Sequence, residues 1–249
     1  MIQGAGLHGN GWKPQADALC ARFQCLTFDN RGMGGSQPAA KPITVEQMAN
    51  DTFALMDSAG ITSAHIVGHS MGGAVAQEIA LTMPTRVRSL SLLCTSAIGT
   101  DATRITWEMA WLATRTRVGT RRMRRLAMLK LVLSPEGLAK THLDKEAERL
   151  APLFGHDLAD TPPIVMQQLW ALKRFDASQR LHQLARIPTL VIGAANDIIF
   201  PLSCSRKLAD AIPGARLVEI PNAAHGVAIE LAEEVNRLLA EHIERTISL

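Results

Sequence analysis

A serine, an aspartate and a histidine follow three separate apolar segments, in that order along the chain. They are Ser70, Asp197 and His225. A serine hydroxyl is a weak nucleophile until a neighbouring base removes its proton, and histidine suits that task near neutral pH. An aspartate then holds the imidazole in one tautomer and stabilises its charged form. If the three segments are strands of one sheet, these side chains can meet and perform acyl transfer.

The serine lies in a pattern typical of a sharp turn between a strand and a helix. The turn is residues 68–72 (GHSMG), after the apolar run 64–67 and before the helical run 73–81. Glycines on both sides leave room for a strained backbone at the serine. This geometry lifts the hydroxyl clear of the sheet and directs the first amides of the helix at the group it attacks.

Each of the three residues also has an ordinary structural interpretation. Ser70 can occupy an unreactive glycine-rich turn, Asp197 can cap a turn, and His225 can be a plain loop histidine. The catalytic interpretation is favoured because serine, acid, histidine is the chain order expected for a serine on such a turn. The other position open to the acid, after the strand ending at Cys94, contains no acidic residue before Asp101.

Strand-like and helical segments alternate over most of the chain, which is typical of a parallel sheet covered by helices on both faces. Thr44 is a predicted N-cap for a helix that stops at Gly60. The predicted strands are residues 23–28, 64–67, 87–94, 188–193 and 215–220. The other predicted helices are residues 14–23, 73–81, 203–211 and 227–243.

The alternation breaks in residues 97–184, which we call the inserted segment and which are helical and rich in arginine. We expect this segment to form a helical lid over the C-terminal edge of the sheet, where such folds bind ligands. Residues 1–96 and 185–249 then form one core domain. Trp107, Trp111 and Trp170 of the inserted segment are candidates for lining a substrate pocket.

The arginines of the inserted segment predict a solvated helical face. An anionic substrate, an acidic partner or an anionic membrane surface are the alternatives. The arginines are Arg104, Arg115, Arg117, Arg121, Arg122, Arg124 and Arg125.

The composition indicates an ordinary globular protein, because 47% of the 249 residues are hydrophobic and 20% are charged. A net charge of +3 gives no indication of a nucleic-acid partner. We expect no membrane span and no signal peptide. The four cysteines have no paired or metal-like spacing, so we expect reduced thiols in a cytoplasmic protein. We expect a small-molecule substrate and no metal or organic cofactor; the oligomeric state stays open.

In combination, these motifs resemble the α/β-hydrolase superfamily. Residues 29–36 (DNRGMGGS) are similar to the family's turn after the fourth strand, and residues 68–72 to its nucleophile elbow. Within the first turn, Asp29 and Arg31 are assigned a structural role. The resemblance covers residues 3–95 and 187–243, and it implies an α/β-hydrolase fold with a mostly parallel sheet and the inserted segment as the variable lid.

The resemblance also implies an oxyanion hole made by two backbone N–H groups. One is the amide of Met71, directly after the nucleophile. The other follows a His-Gly-type pair that precedes a tryptophan at the start of the next helix. Counting back from Trp12 makes residues 3–4 (QG) the equivalent pair and Ala5 the donor.

A true His-Gly pair stands at residues 8–9, closer to that tryptophan. We interpret this pair as a decoy, and Asn10 is the oxyanion donor if the interpretation is wrong. His8 itself is a further candidate for lining the pocket.

The resemblance implies a serine hydrolase that cleaves a small carboxylic ester, thioester or lactone through an acyl-enzyme, with an elbow region similar to enol-lactonases and esterases. A serine at the elbow argues against relatives with aspartate there, such as dehalogenases and epoxide hydrolases. Carbon–carbon bond hydrolysis and cofactor-free peroxidase-like activity use the same residues and are alternatives. A non-catalytic ligand-binding protein or an inactive truncated fragment is the competing class.

Relatives carry a leading pair of strands and a complete third strand before the oxyanion loop, whereas this sequence opens on residues 1–6 (MIQGAG). The N-terminal strands are therefore expected to be truncated. That leaves unpaired backbone groups beside the strand that leads to Ser70. Either the natural start lies upstream or the chain closes this edge in another way.

Overall fold

Four parallel strands form the central sheet of the computed structural model, which describes residues 1–37, 42–103 and 106–247. In spatial order the strands are β1 Ala64–His69, β2 Val87–Leu93, β3 Thr189–Ala194 and β4 Arg216–Ile220. The helices are α1 Lys13–Leu19, α2 Val45–Ser58, α3 Met71–Thr82, α4 Trp107–Arg115, α5 Arg121–Val132, α6 Pro135–Ala139, α7 Leu143–Phe154, α8 Val165–Arg174, α9 Leu202–Ala211, α10 Val227–Glu230 and α11 Ala232–Ile247. The expected parallel α/β architecture is confirmed.

Both faces of the sheet are buried, because successive strand residues enter different core clusters. In β3, Leu190 and Ile192 pack with α1 and α11, whereas Val191 packs on the opposite face with α2, α3 and α9. Leu92 and Leu93 of β2 likewise pack on opposite faces of the sheet. Burying one such side chain stabilises the fold by about 1.5–3 kcal/mol. The strand ends that carry the candidate site are therefore supported from both faces.

The predicted N-cap of α2 is confirmed as a capping box. The Thr44 hydroxyl accepts a hydrogen bond from the Gln47 amide at 3.1 Å, and the Thr44 amide donates to the Gln47 side chain at 3.2 Å. Each bond satisfies an N–H that the first helical turn leaves without a partner. At the other end, Gly60 has a φ of 68°, which only glycine adopts without strain.

Residues 23–28 do not form the predicted strand, and within the described residues the sheet continues beyond β1 as an isolated bridge at Ile2. The Ile2 amide donates to the Val67 carbonyl at 2.8 Å, and the His69 amide donates to the Ile2 carbonyl at 3.1 Å. Further along β1, a groove of about 340 Å³ separates residues 64–67 from residues 23–26. Because a strand requires a neighbouring ladder, residues 23–28 stay irregular without one.

The C-terminal helix is interrupted at Leu231, which separates α10 from α11, whereas the sequence pattern predicted one continuous helix. The carboxylate of Glu230, at the end of α10, accepts a hydrogen bond from the Ser134 amide at 2.8 Å and one from the Ala224 amide at 3.1 Å. This side chain therefore connects the inserted segment to the loop that carries His225.

The inserted segment supplies α4 to α8 between β2 and β3, so its predicted helical character is confirmed in the described residues. Threonine or serine side chains cap α4, α5 and α6 by accepting a hydrogen bond from the third helical amide. An ion pair of 2.8 Å between Arg180 and the buried Glu78 of α3 joins the end of the segment to the core. Among the described helices, none combines the length and the apolar character needed to cross a bilayer.

Candidate active site

Ser70 lies at the sharp turn between β1 and α3, in a backbone conformation that is strained for any residue with a side chain. Its φ is 55° and its ψ is −123°. The turn fits only because its flanking glycines have no Cβ. A Cβ on Gly68 would lie 2.2 Å from the Gly72 carbonyl oxygen, and one on Gly72 would lie 2.2 Å from the Ile2 carbonyl oxygen. The elbow geometry expected from the sequence is therefore present.

Asp197 and His225 lie in the loops after β3 and β4, and their side chains are joined. The His225 Nδ1 donates to Asp197 Oδ2 at 2.8 Å, and both residues are buried. The other carboxylate oxygen, Oδ1, accepts from the amides of Ile199 at 2.8 Å and Phe200 at 2.9 Å. Because two backbone amides bind Oδ1, the carboxylate has one orientation. Its Oδ2 binds the His225 Nδ1, and the Nε2 of the same ring makes no bond to Asp197.

Ser70 and His225 line the same cavity, which has a volume of about 430 Å³. Its wall is mostly apolar and comes largely from the inserted segment, with Ile199 and Phe200 from the loop after β3. Ser70 is buried at this cavity, and the mostly apolar wall strengthens electrostatic interactions close to it. An imidazole oriented by a carboxylate, at the same cavity as a strained serine, is the arrangement that can accept a hydroxyl proton during attack on a carbonyl carbon.

His69 is buried behind the imidazole of His225 and positions its loop. The His69 Nε2 donates to the His225 carbonyl oxygen at 2.7 Å, and the two ring centroids are 4.8 Å apart. Burial, followed by the neighbouring His225, lowers the pKa of His69 to about 3. His69 is therefore neutral and adds no positive charge beside the candidate base.

His69, Cys94 and His225 form a group whose ligand atoms lie within 4.8 Å of one another, as a metal site would require. One nitrogen of each imidazole is engaged, because the His69 Nε2 donates to a carbonyl oxygen and the His225 Nδ1 donates to Asp197. Burial, and then Asp197, raise the pKa of the Cys94 thiol, so the thiolate that a metal needs is disfavoured. The group fits a hydrogen-bonded network better than a metal centre.

The loop of residues 3–6 lies against the serine, as expected for an oxyanion loop. A Cβ on Gly4 would be 3.0 Å from the Ser70 Cβ, and Ala5 lines the cavity. Met71 is the first residue of α3, where an amide has no acceptor within the helix. The amides of Ala5 and Met71 are therefore the candidate donors to an oxyanion.

The pair at residues 8–9 faces a different part of the molecule. The Gly9 amide donates to Asp29 Oδ1 at 2.8 Å, and Asn10 is exposed in a 3-10 turn. His8 lies against Gly155 and 3.9 Å from Asp29, and it is not among the residues that line the cavity. Arg31 forms a bidentate ion pair with Asp51, which supports the structural role assigned to this turn.

The three tryptophans of the inserted segment occupy different environments. Trp170 lines the cavity with part of its ring exposed. Trp107 is 92% exposed and Trp111 is 55% exposed, and neither is among the cavity-lining residues. On α4 it is Met109, Ala110 and Ala113 that face the cavity. Their positions place the two tryptophans on a neighbouring face of the helix, so the structure does not bring them to the site.

Most of the described arginines of the inserted segment contact other side chains of that segment. Arg121 and Arg125 form ion pairs with Asp157, and Arg121 also binds Asp160 at 3.0 Å. Arg115 lies over the Trp111 ring, and Arg117 contacts the Met166 sulfur and lines the cavity. Arg122 lies 3.8 Å from Asp144, and the Arg124 Nε is buried. Arg104 lies outside the described residues.

Three residues that sequence analysis missed hold the loop of residues 3–6. The Asn30 side chain donates to the Gln3 carbonyl at 2.9 Å, and the Gln168 Oε1 accepts from the Gly6 amide at 2.8 Å. The His156 Nε2 lies 2.8 Å from the Gly6 carbonyl oxygen. Asn30 lies within residues 29–36, a motif that the sequence did reveal, although its contact with the loop was not predicted. His156 and Gln168 carry no local signal, because they are more than 140 residues from the loop along the chain.

Comparison with known proteins identifies the family. A family model described as "alpha/beta hydrolase fold" matches residues 1–231, and the chain belongs to this family. A curated relative from Caulobacter sp. (strain K31), named "Putative carbamate hydrolase RutD", is 32% identical over 95% of this chain and 87% of its own length. The protein is thus an α/β-fold hydrolase, and the fold and superfamily expected from the sequence are confirmed.

Solved structures agree with this assignment. The crystal structure titled "Putative non-heme bromoperoxidase BpoC" from Mycobacterium tuberculosis H37Rv has a TM-score of 0.83 and 28% identity, covering 98% of this chain and 91% of that one. The enol-lactonase from Burkholderia xenovorans LB400 has a TM-score of 0.78 and 25% identity, covering 98% and 89%. These neighbours differ in their named activities. The comparisons therefore establish the hydrolase fold, and the substrate has to be inferred from the site.

Proposed function

We propose that this protein is a serine hydrolase that cleaves a small carboxylic ester, thioester or lactone through an acyl-enzyme. The observation that carries the proposal is the pairing of a strained elbow serine with a carboxylate-oriented imidazole at one cavity. This geometry supports the proposed roles of Ser70 as nucleophile, His225 as base and Asp197 as orienting acid.

In the proposed mechanism, the Ser70 Oγ attacks the carbonyl carbon while its proton passes to the His225 Nε2. The carbonyl oxygen takes up the negative charge and is stabilised by the amides of Met71 and Ala5. When the tetrahedral intermediate collapses, the leaving oxygen or sulfur receives the proton from His225. Water then attacks the acyl-enzyme, with His225 as base, and releases the acid and the free serine.

A fluorophosphonate probe tests the assembled site directly, because it phosphonylates only an activated serine. We expect rapid labelling at Ser70, and we expect the His225→Ala variant to label at least about a hundredfold more slowly, in line with loss of the general base. A His182→Ala variant, which changes an exposed histidine, serves as the matched control. Folded wild-type protein that stays unlabelled would favour the non-catalytic ligand-binding alternative.

Charged side chains at the cavity narrow the range of substrates that we propose. Lys173 and Arg117 line an otherwise mostly apolar wall, whereas the carboxylate of Asp160 is engaged by Arg121. The Lys173 ammonium lies 5.3 Å from the centre of the Trp170 ring. The favoured acyl group is therefore apolar near the scissile carbonyl and carries a carboxylate further away. A carboxylated lactone satisfies this description, consistent with the similarity to a protein named as an enol-lactonase.

Paired nitrophenyl esters of equal length, one neutral and one with a terminal carboxylate, test this preference. We expect the carboxylated ester to have a KM lower by roughly two- to fivefold, the range of a partly exposed ion pair. The Lys173→Met variant is expected to lose the difference, whereas Arg174→Met, an exposed neighbour outside the cavity, keeps it. Equal KM values for both esters in the wild type would contradict the proposed preference for a substrate that carries a carboxylate.

A carbamate is the second candidate substrate, because the named relative is 32% identical over nearly the whole chain. Its carbonyl carbon is open to the same attack by a serine. Release of ammonia from a small carbamate, measured beside ester hydrolysis with the same preparation, distinguishes the two substrate classes.

A further inference from the structure

Both backbone hydrogen-bonding groups of Gly6 are bound by side chains of the inserted segment. The Gly6 amide donates to the Gln168 Oε1 at 2.8 Å, and the Gly6 carbonyl oxygen lies 2.8 Å from the His156 Nε2. The His156 Nδ1 lies at the same distance from the Asp157 carbonyl oxygen, so the contact with Gly6 is a hydrogen bond when the ring proton is on Nε2. Gly6 has a φ of 76°, a conformation in which glycine is the residue without strain. The two contacts therefore restrict a residue whose backbone is otherwise the most free to rotate.

The preceding residues of this loop are fixed by the core. The Gly4 amide donates to the Gln3 Oε1 at 3.0 Å, and the Asn30 side chain donates to the Gln3 carbonyl at 2.9 Å. Ala5 lies between these two sets of contacts. Its N–H direction depends on the peptide planes on both sides, one held by the core and one held by the inserted segment.

Gln168 makes this contact at a cost to stability. The residue is fully buried, and its Nε2 has no partner among the described residues. An unpaired buried amide destabilises a fold, so an apolar side chain of similar size would be expected at this position if packing alone mattered. Gln168 is also not among the residues that line the cavity. Its specific contribution is the acceptor for the Gly6 amide.

We propose that Gln168 and His156 are positioning residues that complete the oxyanion hole from the inserted segment. By holding Gly6 they fix the direction of the Ala5 N–H, so the segment that covers the cavity also assembles one of the two oxyanion donors. The inference rests on the proposed function for its catalytic consequence. The contact between the segment and the loop can be tested without catalysis.

The first test compares Gln168→Leu with Gln167→Leu, an exposed neighbour on the same helix. Losing an oxyanion donor lowers kcat by about 10²–10³, so misdirecting one is expected to lower kcat by about tenfold. KM should change by less than about twofold, because Gln168 does not line the cavity. The affinity for an alkyl boronic acid, which forms a tetrahedral adduct with serine, should weaken by the same factor as kcat.

Two further readouts separate positioning from a structural effect. Gln168→Leu removes the unpaired Nε2 but also leaves the buried Gly6 amide without its acceptor, so the two effects oppose each other and the melting temperature is expected to stay within about 6 °C of the wild type. Gln168→Glu keeps an oxygen acceptor for the Gly6 amide and should recover most of kcat. A larger fall in melting temperature, or a fall in kcat that Gln168→Glu does not reverse, would overturn the positioning role.

Hydrogen exchange of the peptide covering residues 1–12 tests the contact independently of activity. We expect faster exchange in Gln168→Leu and in His156→Leu than in the wild type and Gln167→Leu. Unchanged exchange would overturn the inference even if kcat falls. If the wild type neither hydrolyses esters nor reacts with a fluorophosphonate, the proposed function fails, and the exchange experiment alone decides whether the segment holds the loop.

Discussion

Replacing Ser70 by alanine is expected to lower kcat for ester hydrolysis by roughly 10⁶, the loss typical of removing the nucleophile of a serine triad. Alanine keeps the Cβ and therefore the same backbone strain at a φ of 55°. The fold and the cavity should persist, with an unchanged melting temperature and retained binding of a product acid. The residual rate should come from the oxyanion donors and the cavity alone.

The double variant Ser70→Ala with His225→Ala tests whether the two side chains act together. If the two side chains work as one unit, the double variant should be about as slow as either single variant. Initial rates on one nitrophenyl ester, with active protein quantified by its folded fraction, give the comparison. Losses that multiply would show that the residues act independently and would contradict the proposed triad.

Local patterns predicted the elements whose stability is local. The N-cap at Thr44 and the turn at residues 68–72 are each complete within a few residues, and both are present in the structure as expected. Residues 23–28 have the composition of a strand but face a groove, because a strand also needs a neighbour that composition does not report. The break at Leu231 directly follows Glu230, whose carboxylate binds Ser134, nearly a hundred residues away, and no local pattern reports that contact.

The candidate site also contains both residues that local patterns predict and residues that they do not. Asp197 and His225 could be chosen from sequence because each follows a strand, and parallel strands bring such loops to one edge of the sheet. The contacts of Gly6 with His156 and Gln168 could not, since they join distant parts of the chain through single hydrogen bonds. For Trp107 and Trp111, spacing indicated a shared helix face but not which way that face turns.

Asp197→Asn is expected to lower kcat by about 10⁴ while leaving the residues of the site in place, as found when a triad aspartate becomes an amide. The reason lies in the two carboxylate oxygens. The amides of Ile199 and Phe200 both donate to Oδ1, so the carbonyl oxygen of an asparagine must take that position. Its NH₂ then faces the His225 Nδ1, which has to accept. The imidazole proton moves to Nε2, where it can no longer receive the proton of Ser70.

The measurement is kcat on a nitrophenyl ester beside an Asp210→Asn control, which makes the same chemical change at an exposed position. Nitrogen NMR of labelled histidine reports the tautomer directly, with the proton of His225 expected on Nδ1 in the wild type and on Nε2 in the variant. A variant that keeps wild-type kcat, or that loses activity with the proton still on Nδ1, would contradict this role. The tautomer readout matters most, because loss of activity alone also follows from a displaced loop, whereas a moved proton follows only from the fixed orientation of the carboxylate.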